Sequence, residues 1–81
     1  MEASRAVRVG VLGAGNVGGA LVSLLLREPD AIEARSGVRL ELAGVAVSDT
    51  TKERPGIPES LITGDAKGLV ADPSVEVVVE L

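Results

Sequence analysis

The stretch over residues 13–18 follows the pattern G-x-G-x-x-G, and its neighbours restrict how this chain can fold. A nearly continuous apolar run precedes the glycines and predicts a buried strand over residues 5–12. The residues that follow have the apolar spacing of an amphipathic helix, with Asn16 as its predicted cap: Val17, Ala20, Leu21, Leu24 and Leu25. A strand, a glycine turn and a helix in this order are typical of a dinucleotide-binding unit.

Each glycine of the turn has a separate predicted role. Gly13 allows a tight turn from strand to helix, and Gly15 lacks a Cβ that would keep the backbone away from a pyrophosphate. Gly18 lets the helix pack closely on the sheet. The candidate phosphate-binding residues are Gly13, Ala14, Gly15, Asn16, Val17 and Gly18, because the helix N-terminus attracts anions. A glycine-rich turn without a ligand is the alternative.

The rest of the chain predicts further strands and helices in alternation. They are a helix over 29–36 ending at Gly37, a strand over 38–47 with a bulge at Gly44, a helical turn over 58–60, a very short strand over 61–63, a helix capped by Asp65, and a strand over 75–81. This order predicts an α/β fold, the first half of a Rossmann-like doubly wound parallel sheet with strand order 3-2-1-4. We expect a tail over 1–6 and one truncated binding domain over 7–81.

Composition excludes several classes of function. The chain has 46% hydrophobic residues, no aromatic residue and a net charge of -4, which argues against a nucleic-acid partner. No apolar stretch approaches the ~20 residues of a membrane helix, so we expect a cytoplasmic protein without a membrane partner. Because His, Cys and Tyr are absent, the sequence predicts no catalytic residue and no metal site.

The end of the second strand supplies candidates for the adenosine side of a dinucleotide. Ser48 can bond to a ribose hydroxyl or to a phosphate, whereas Asp49 would prefer the hydroxyl pair of NAD. Lys52 and Arg54 could accept the 2′-phosphate of NADP. Both cofactors therefore stay open, as do simpler roles for Asp49 as a loop cap and for the two cations as surface charges.

Three segments together resemble the N-terminal NAD(P)-binding domain of homoserine dehydrogenase, particularly the actinobacterial type. They are VGVLGAGNVGG over 9–19, LAGVAVSD over 42–49 and ADPSVEVVVEL over 71–81. The resemblance implies an oxidoreductase that uses NAD or NADP to interconvert homoserine and aspartate 4-semialdehyde, in threonine, methionine and isoleucine biosynthesis. By position, residues 13–18 would hold the pyrophosphate, and Ser48, Lys52 and Arg54 would surround the ribose or its 2′-phosphate. Family members often have Arg in place of Ser48.

The resemblance also implies a longer enzyme. Members of the family continue into a substrate domain that carries the catalytic groups, so we expect a fragment that binds the nicotinamide dinucleotide and is inactive alone. Its partner would be the missing C-terminal domain, and the full-length enzyme would be a homo-oligomer. Two alternatives are a stand-alone dinucleotide-binding or sensing module and the N-terminal half of a related reductase, such as aspartate dehydrogenase or dihydrodipicolinate reductase.

Overall fold

A computed structural model describes residues 5–13 and 15–80, with the backbone alone at Arg5, Asn16 and Val17. The elements are β1 (Arg5–Leu12), α1 (Asn16–Arg27), α2 (Pro29–Ser36), β2 (Val38–Ala46), a 3-10 turn (Glu59–Leu61), β3 (Ile62–Thr63), α3 (Ala66–Ala71) and β4 (Val77–Glu80). Strand β1 has the predicted bounds, and its first two residues lie in the stretch assigned to the tail. The predictions for Ala14, and for the side chains of Asn16 and Val17, lie outside the described residues.

The four strands form one parallel sheet in the order β3-β2-β1-β4. This confirms the predicted Rossmann-like α/β fold with strand order 3-2-1-4. Because all strands are parallel, their carboxyl ends lie at the same edge of the sheet. The glycine turn after β1 is therefore next to the loop that follows β2.

A bulge separates the two halves of β2. Val9 of β1 pairs with Leu42, but the next residue, Gly10, pairs with Gly44, so Ala43 is the additional residue. The bulge predicted at Gly44 is therefore present, one residue earlier. The additional residue restores the alternation of side chains and brings the end of β2 into the core, where Val45 is fully buried.

The core lies on the face of the sheet that α1 covers. Valines form it, and they are Val7, Val9, Val11, Val22, Val45 and Val47. Val22 is the contribution of α1, and the others come from β1, from the end of β2 and, in the case of Val47, from the residue after β2. In the absence of aromatic residues, packing depends on these β-branched side chains.

Two glycines let α3 approach the opposite face. A Cβ at Gly10 would lie 3.1 Å from Leu69 Cγ, and a Cβ at Gly44 would lie 3.0 Å from Leu69 Cδ1. Leu69 therefore packs on the paired glycines of β1 and β2. The sequence analysis assigned close helix packing to Gly18 and missed this second contact.

The helix ends agree with the sequence in two of three cases. Gly37 has φ 74 and its N–H donates to the Glu33 carbonyl at 2.8 Å, as the predicted left-handed cap requires. Asp65 caps α3, because its Oδ1 accepts from the Gly68 N–H at 2.9 Å. The predicted cap at Asn16 is wrong. Gly15 holds the N-cap position in an extended conformation, and Asn16 is the first helical residue.

Strand β4 is shorter than predicted. The Val75 N–H donates to the Asp72 carbonyl at 3.0 Å, which keeps Val75 in the turn after α3. Sheet bonding starts with the Glu76 N–H, which donates to the Arg8 carbonyl at 2.9 Å. Leu81 lies outside the described residues. None of the helices in the described part of the chain has the length and apolar character that crossing a bilayer requires.

Candidate functional site

A cleft of about 540 Å³ opens at the carboxyl ends of β1 and β2. Its lining residues are Leu12, Gly13, Gly15, Ala46, Val47, Ser48, Lys52, Arg54, Gly64 and Ala66. Ligands of doubly wound sheets bind at this edge, where loops follow the strands. The fold thus places the glycine turn and the basic loop on the same cleft.

Gly13 closes the turn after β1. Its φ of 104° lies in a region that residues with a Cβ rarely adopt. Its N–H donates to the Ala46 carbonyl at 2.8 Å, which fixes the turn against the end of β2. Glycine at this position is therefore required by the backbone.

Gly15 lines the cleft for a different reason. Its φ of -72° is accessible to any residue, and a Cβ built on it would meet no heavy atom within 4 Å other than those of its two chain neighbours. The protein's own packing therefore does not require glycine here. The missing Cβ instead leaves the approach from the cleft to the start of α1 open, which fits a pyrophosphate close to the backbone.

The N-terminus of α1 gives the cleft a positive end. The Gly19 N–H makes an early intrahelical bond, to the Gly15 carbonyl at 2.7 Å, and the N–H groups before it have no acceptor within the helix. The first turn carries no acidic residue that would offset the helix dipole. Gly18 is buried in this turn. The geometry is that of an anion-binding helix end.

The loop after β2 brings two cations to the cleft. Lys52 is exposed, and Arg54 is partly buried with its Nη2 donating to the Asp49 carbonyl at 3.3 Å. The same loop and one side of α1 enclose an adjoining cleft of about 340 Å³, which Gly19 and Ser23 of α1 and the N-cap residue Gly15 also line. Lys52 and Arg54 line this cleft too, so they stand at the junction of the two.

Asp49 is arranged differently from its neighbours. Its Oδ1 accepts from the Thr51 hydroxyl at 2.6 Å and from the Thr51 N–H at 3.0 Å. These two hydrogen bonds, with smaller effects of Arg54 and Lys52, hold the pKa of the Asp49 carboxyl below its ordinary value of 3.8. Asp49 is exposed and does not line the cleft.

Of the predicted site residues, five therefore meet at the cleft, and they are Gly13, Gly15, Ser48, Lys52 and Arg54. Five further lining residues were not predicted from the sequence, and they are Leu12, Ala46, Val47, Gly64 and Ala66. Gly64 could have been predicted from the strand order. It directly follows β3, and the end of β3 adjoins the end of β2. Within the described residues, no group of three or more acidic side chains could hold a metal ion.

Comparison with known proteins decides the family. The family model described as "Homoserine dehydrogenase, NAD binding domain" matches residues 13–81. The chain belongs to this family. The resemblance seen in the sequence is confirmed, and the cofactor class of the homoserine dehydrogenase domain is NAD or NADP. Which residues hold the cofactor stays a prediction.

Individual homoserine dehydrogenases agree with the family match. The chain is 40% identical over 76 residues to the enzyme of Corynebacterium glutamicum and 41% identical over 75 residues to that of Mycobacterium tuberculosis. It aligns over 94% and 93% of its length but spans only 17% of each of these relatives. The crystal structure of S. aureus homoserine dehydrogenase matches 94% of this chain and 19% of its own, with a TM-score of 0.83 and 25% identity.

Proposed function

We propose that this chain is the coenzyme-binding part of an NAD(P)-dependent homoserine dehydrogenase that interconverts homoserine and aspartate 4-semialdehyde. The observation that carries the proposal is the glycine at position 15. The packing of the chain does not require glycine there, whereas a pyrophosphate lying close to the backbone would. The family match over residues 13–81 supports the same interpretation. The binding domain would comprise residues 7–81.

The residues at the cleft would bind and orient the cofactor. Backbone N–H groups at the start of α1 would hold the pyrophosphate, next to Gly13 and Gly15. Ser48, Lys52 and Arg54 would contact the adenosine end. When bound, the nicotinamide supplies the hydride chemistry.

Groups that handle the substrate would come from the remainder of the enzyme. The chain contains no His, Cys or Tyr, which are common proton carriers in dehydrogenation. The curated relatives are far longer, since the chain spans 17% of them. We propose that the complete enzyme works as a homo-oligomer in the cytoplasm.

Isothermal titration of the 81-residue chain with NADPH and with NADH tests the binding function. We expect saturable binding of at least one of them and no oxidation of homoserine when the oxidised cofactor is supplied. A chain that is folded by circular dichroism and binds neither dinucleotide would contradict the binding proposal. Turnover by the chain alone would contradict the location of catalysis elsewhere.

A chimeric enzyme tests the assignment to homoserine dehydrogenase. The 76 aligned residues of the Corynebacterium glutamicum enzyme would be replaced by those of this chain. We expect NAD(P)-dependent oxidation of homoserine, and the matched control carries Gly15→Val in the same chimera. A folded chimera that binds cofactor but leaves homoserine unchanged would argue for a different reductase.

A further inference from the structure

In the loop after β2, the carboxylate of Asp49 lies outside the cleft lining, whereas the cations Lys52 and Arg54 line the cleft. Many NAD-selective folds place an acid at the end of the second strand, where it accepts hydrogen bonds from the ribose hydroxyls. Asp49 occupies this place in the chain, two residues after the buried Val47. Its carboxylate nevertheless bonds to Thr51 and lies outside the cleft lining.

Asp49 organises the loop, because both its carboxylate and its main-chain carbonyl accept hydrogen bonds from other loop residues. The side chain accepts from Thr51, two residues ahead, which fixes a tight turn of the backbone. The main-chain carbonyl accepts from Arg54 Nη2 at 3.3 Å. Asp49 thus holds residues on both sides of Lys52, which has no ion-pair partner among the residues that the structure describes.

The charges that face the cleft are consequently positive. Lys52 and Arg54 line it, and Ser48 adds a hydroxyl that can bond to a phosphate or to a ribose. Glu53, between the two cations, lines the adjoining cleft of about 340 Å³ but not this one. A carboxylate inside the cleft would repel a phosphate, whereas the observed arrangement would attract one.

We infer that Asp49 is a positioning residue, which holds Lys52 and Arg54 for the 2′-phosphate of NADP, and that it is not a ribose ligand selecting NAD. The inference rests on the proposed function, since it concerns the adenosine end of the same site. It makes the chain selective for the phosphorylated cofactor.

Two small probes measure how much the 2′-phosphate contributes to binding. Adenosine 2′,5′-bisphosphate and adenosine 5′-monophosphate differ in this group alone, and both can be titrated into the full 81-residue chain by calorimetry. We expect the bisphosphate to bind about tenfold tighter or more, as a charge-assisted contact implies. Lys52→Met should remove most of this ratio, whereas the control Lys67→Met, on exposed α3, should leave it unchanged.

Substitutions of Asp49 distinguish positioning from ribose binding. Asp49→Ala removes the acceptor of the Thr51 bonds, so the bisphosphate should bind several-fold more weakly while the monophosphate changes little. Asp49→Asn keeps an acceptor oxygen and should restore the ratio. Circular dichroism and a melting curve of each variant establish that it is folded.

The opposite pattern would overturn the inference. If Asp49 binds the ribose, Asp49→Ala should weaken the monophosphate and leave or strengthen the bisphosphate, because a negative charge has been removed. An equal loss for both probes, or failure of Asp49→Asn to restore the ratio, would also overturn it. If the folded wild-type chain binds neither probe nor NADPH, it is the proposed function that fails.

Discussion

Two glycines of the same turn are needed for different physical reasons. Gly13 has a positive φ, so a side chain there strains the backbone whether or not a ligand is present. Gly15 has a φ of -72° and free space where a Cβ would stand. Substitution at Gly13 therefore affects folding and binding together, whereas substitution at Gly15 separates them.

Gly15→Ala should weaken cofactor binding without unfolding the chain. We expect the free energy of unfolding to fall by about 0.5–1 kcal/mol, since alanine is poorer than glycine at an N-cap. Affinity for NADPH should fall roughly tenfold or more, because the new methyl group meets the pyrophosphate. Thermal melting and isothermal titration measure the two effects.

Gly37→Ala is the matched control. Gly37 ends α2 with φ 74 and does not line the cleft. The substitution should lower the free energy of unfolding by about 1 kcal/mol, because alanine is strained in the left-handed region. Affinity for NADPH should not change. If Gly15→Ala lowered the free energy of unfolding and bound NADPH normally, the role of Gly15 would be structural.

The hydrogen bonds of Asp49 predict an effect of pH. They lower the pKa of its carboxyl in the folded state, and the largest contribution comes from the Thr51 hydroxyl. Asp49 therefore stabilises the fold above its ordinary pKa of 3.8, and this stabilisation disappears as the pH falls through the lowered value. Thr51→Val removes the hydroxyl, so the pKa of Asp49 should rise part of the way back.

Carboxyl-carbon NMR of Asp49 over pH 2–6 measures this shift. Asp72 is an internal control, because its pKa is lowered by the backbone and hydroxyl of Ser74, which Thr51→Val does not touch. An unchanged Asp49 pKa in Thr51→Val would show that the hydroxyl bond is absent in solution.

At the scale of elements, α3 packs on the sheet through Leu69, which lies over Gly10 and Gly44. Gly44→Ala brings a methyl group to 3.0 Å from Leu69 Cδ1 and 3.5 Å from the Leu61 carbonyl oxygen. We expect a loss of about 1 kcal/mol of stability from this overpacking. In a Leu69→Ala background the same substitution should cost less, with a coupling of at least about 0.5 kcal/mol.

Urea unfolding measures this coupling in a double-mutant cycle, which compares the wild type, the two single variants and the double variant. Gly64→Ala serves as a control, because its Cβ would be near Thr50 Cγ2 at 3.3 Å and far from α3's leucine. It should show no coupling to Leu69→Ala. Additive effects of Gly44→Ala and Leu69→Ala would contradict the packing described for α3.

The sequence predicted the elements well because hydrophobic periodicity determines them, and Pro29, Gly37 and Asp65 mark helix ends by their own backbone or side-chain chemistry. It failed at Asn16, because glycine is only a few tenths of a kcal/mol poorer than asparagine at an N-cap position and can take its place. It also placed the start of β4 too early, since tertiary hydrogen bonds keep Val75 in a turn.

The site was predictable to the extent that it follows strand ends. Gly13, Gly15, Ser48, Lys52 and Arg54 come directly after β1 or in the loop after β2, and these ends adjoin in the sheet. Where Asp49 directs its carboxylate depends on a competition between a ligand and its own backbone. Thr51 decides this competition, because its hydroxyl and its N–H both donate to the Asp49 carboxylate. The spacing of residues along the sequence does not show which partner a carboxylate takes.

At the scale of the whole molecule, the strands of the sheet differ in how far they are covered from solvent and from other chains. Strand β1 is central and buried, whereas β4 lies at the edge and pairs only with β1 among the described strands. Val77 and Val78 of β4 are 43% and 39% exposed and point to opposite faces of the sheet. An exposed edge strand rich in valine favours pairing with another chain.

The isolated chain should therefore self-associate through β4. Val77→Lys places a charge on this edge and should weaken association roughly tenfold, because it removes apolar contact area and introduces repulsion between copies. Leu24→Lys is the matched control, because Leu24 is also 43% exposed but lies on α1. Sedimentation velocity over a range of concentrations measures both variants against the wild type. A wild-type chain that stays monomeric at high concentration, or an equal effect of Leu24→Lys, would show that β4 is not the associating edge.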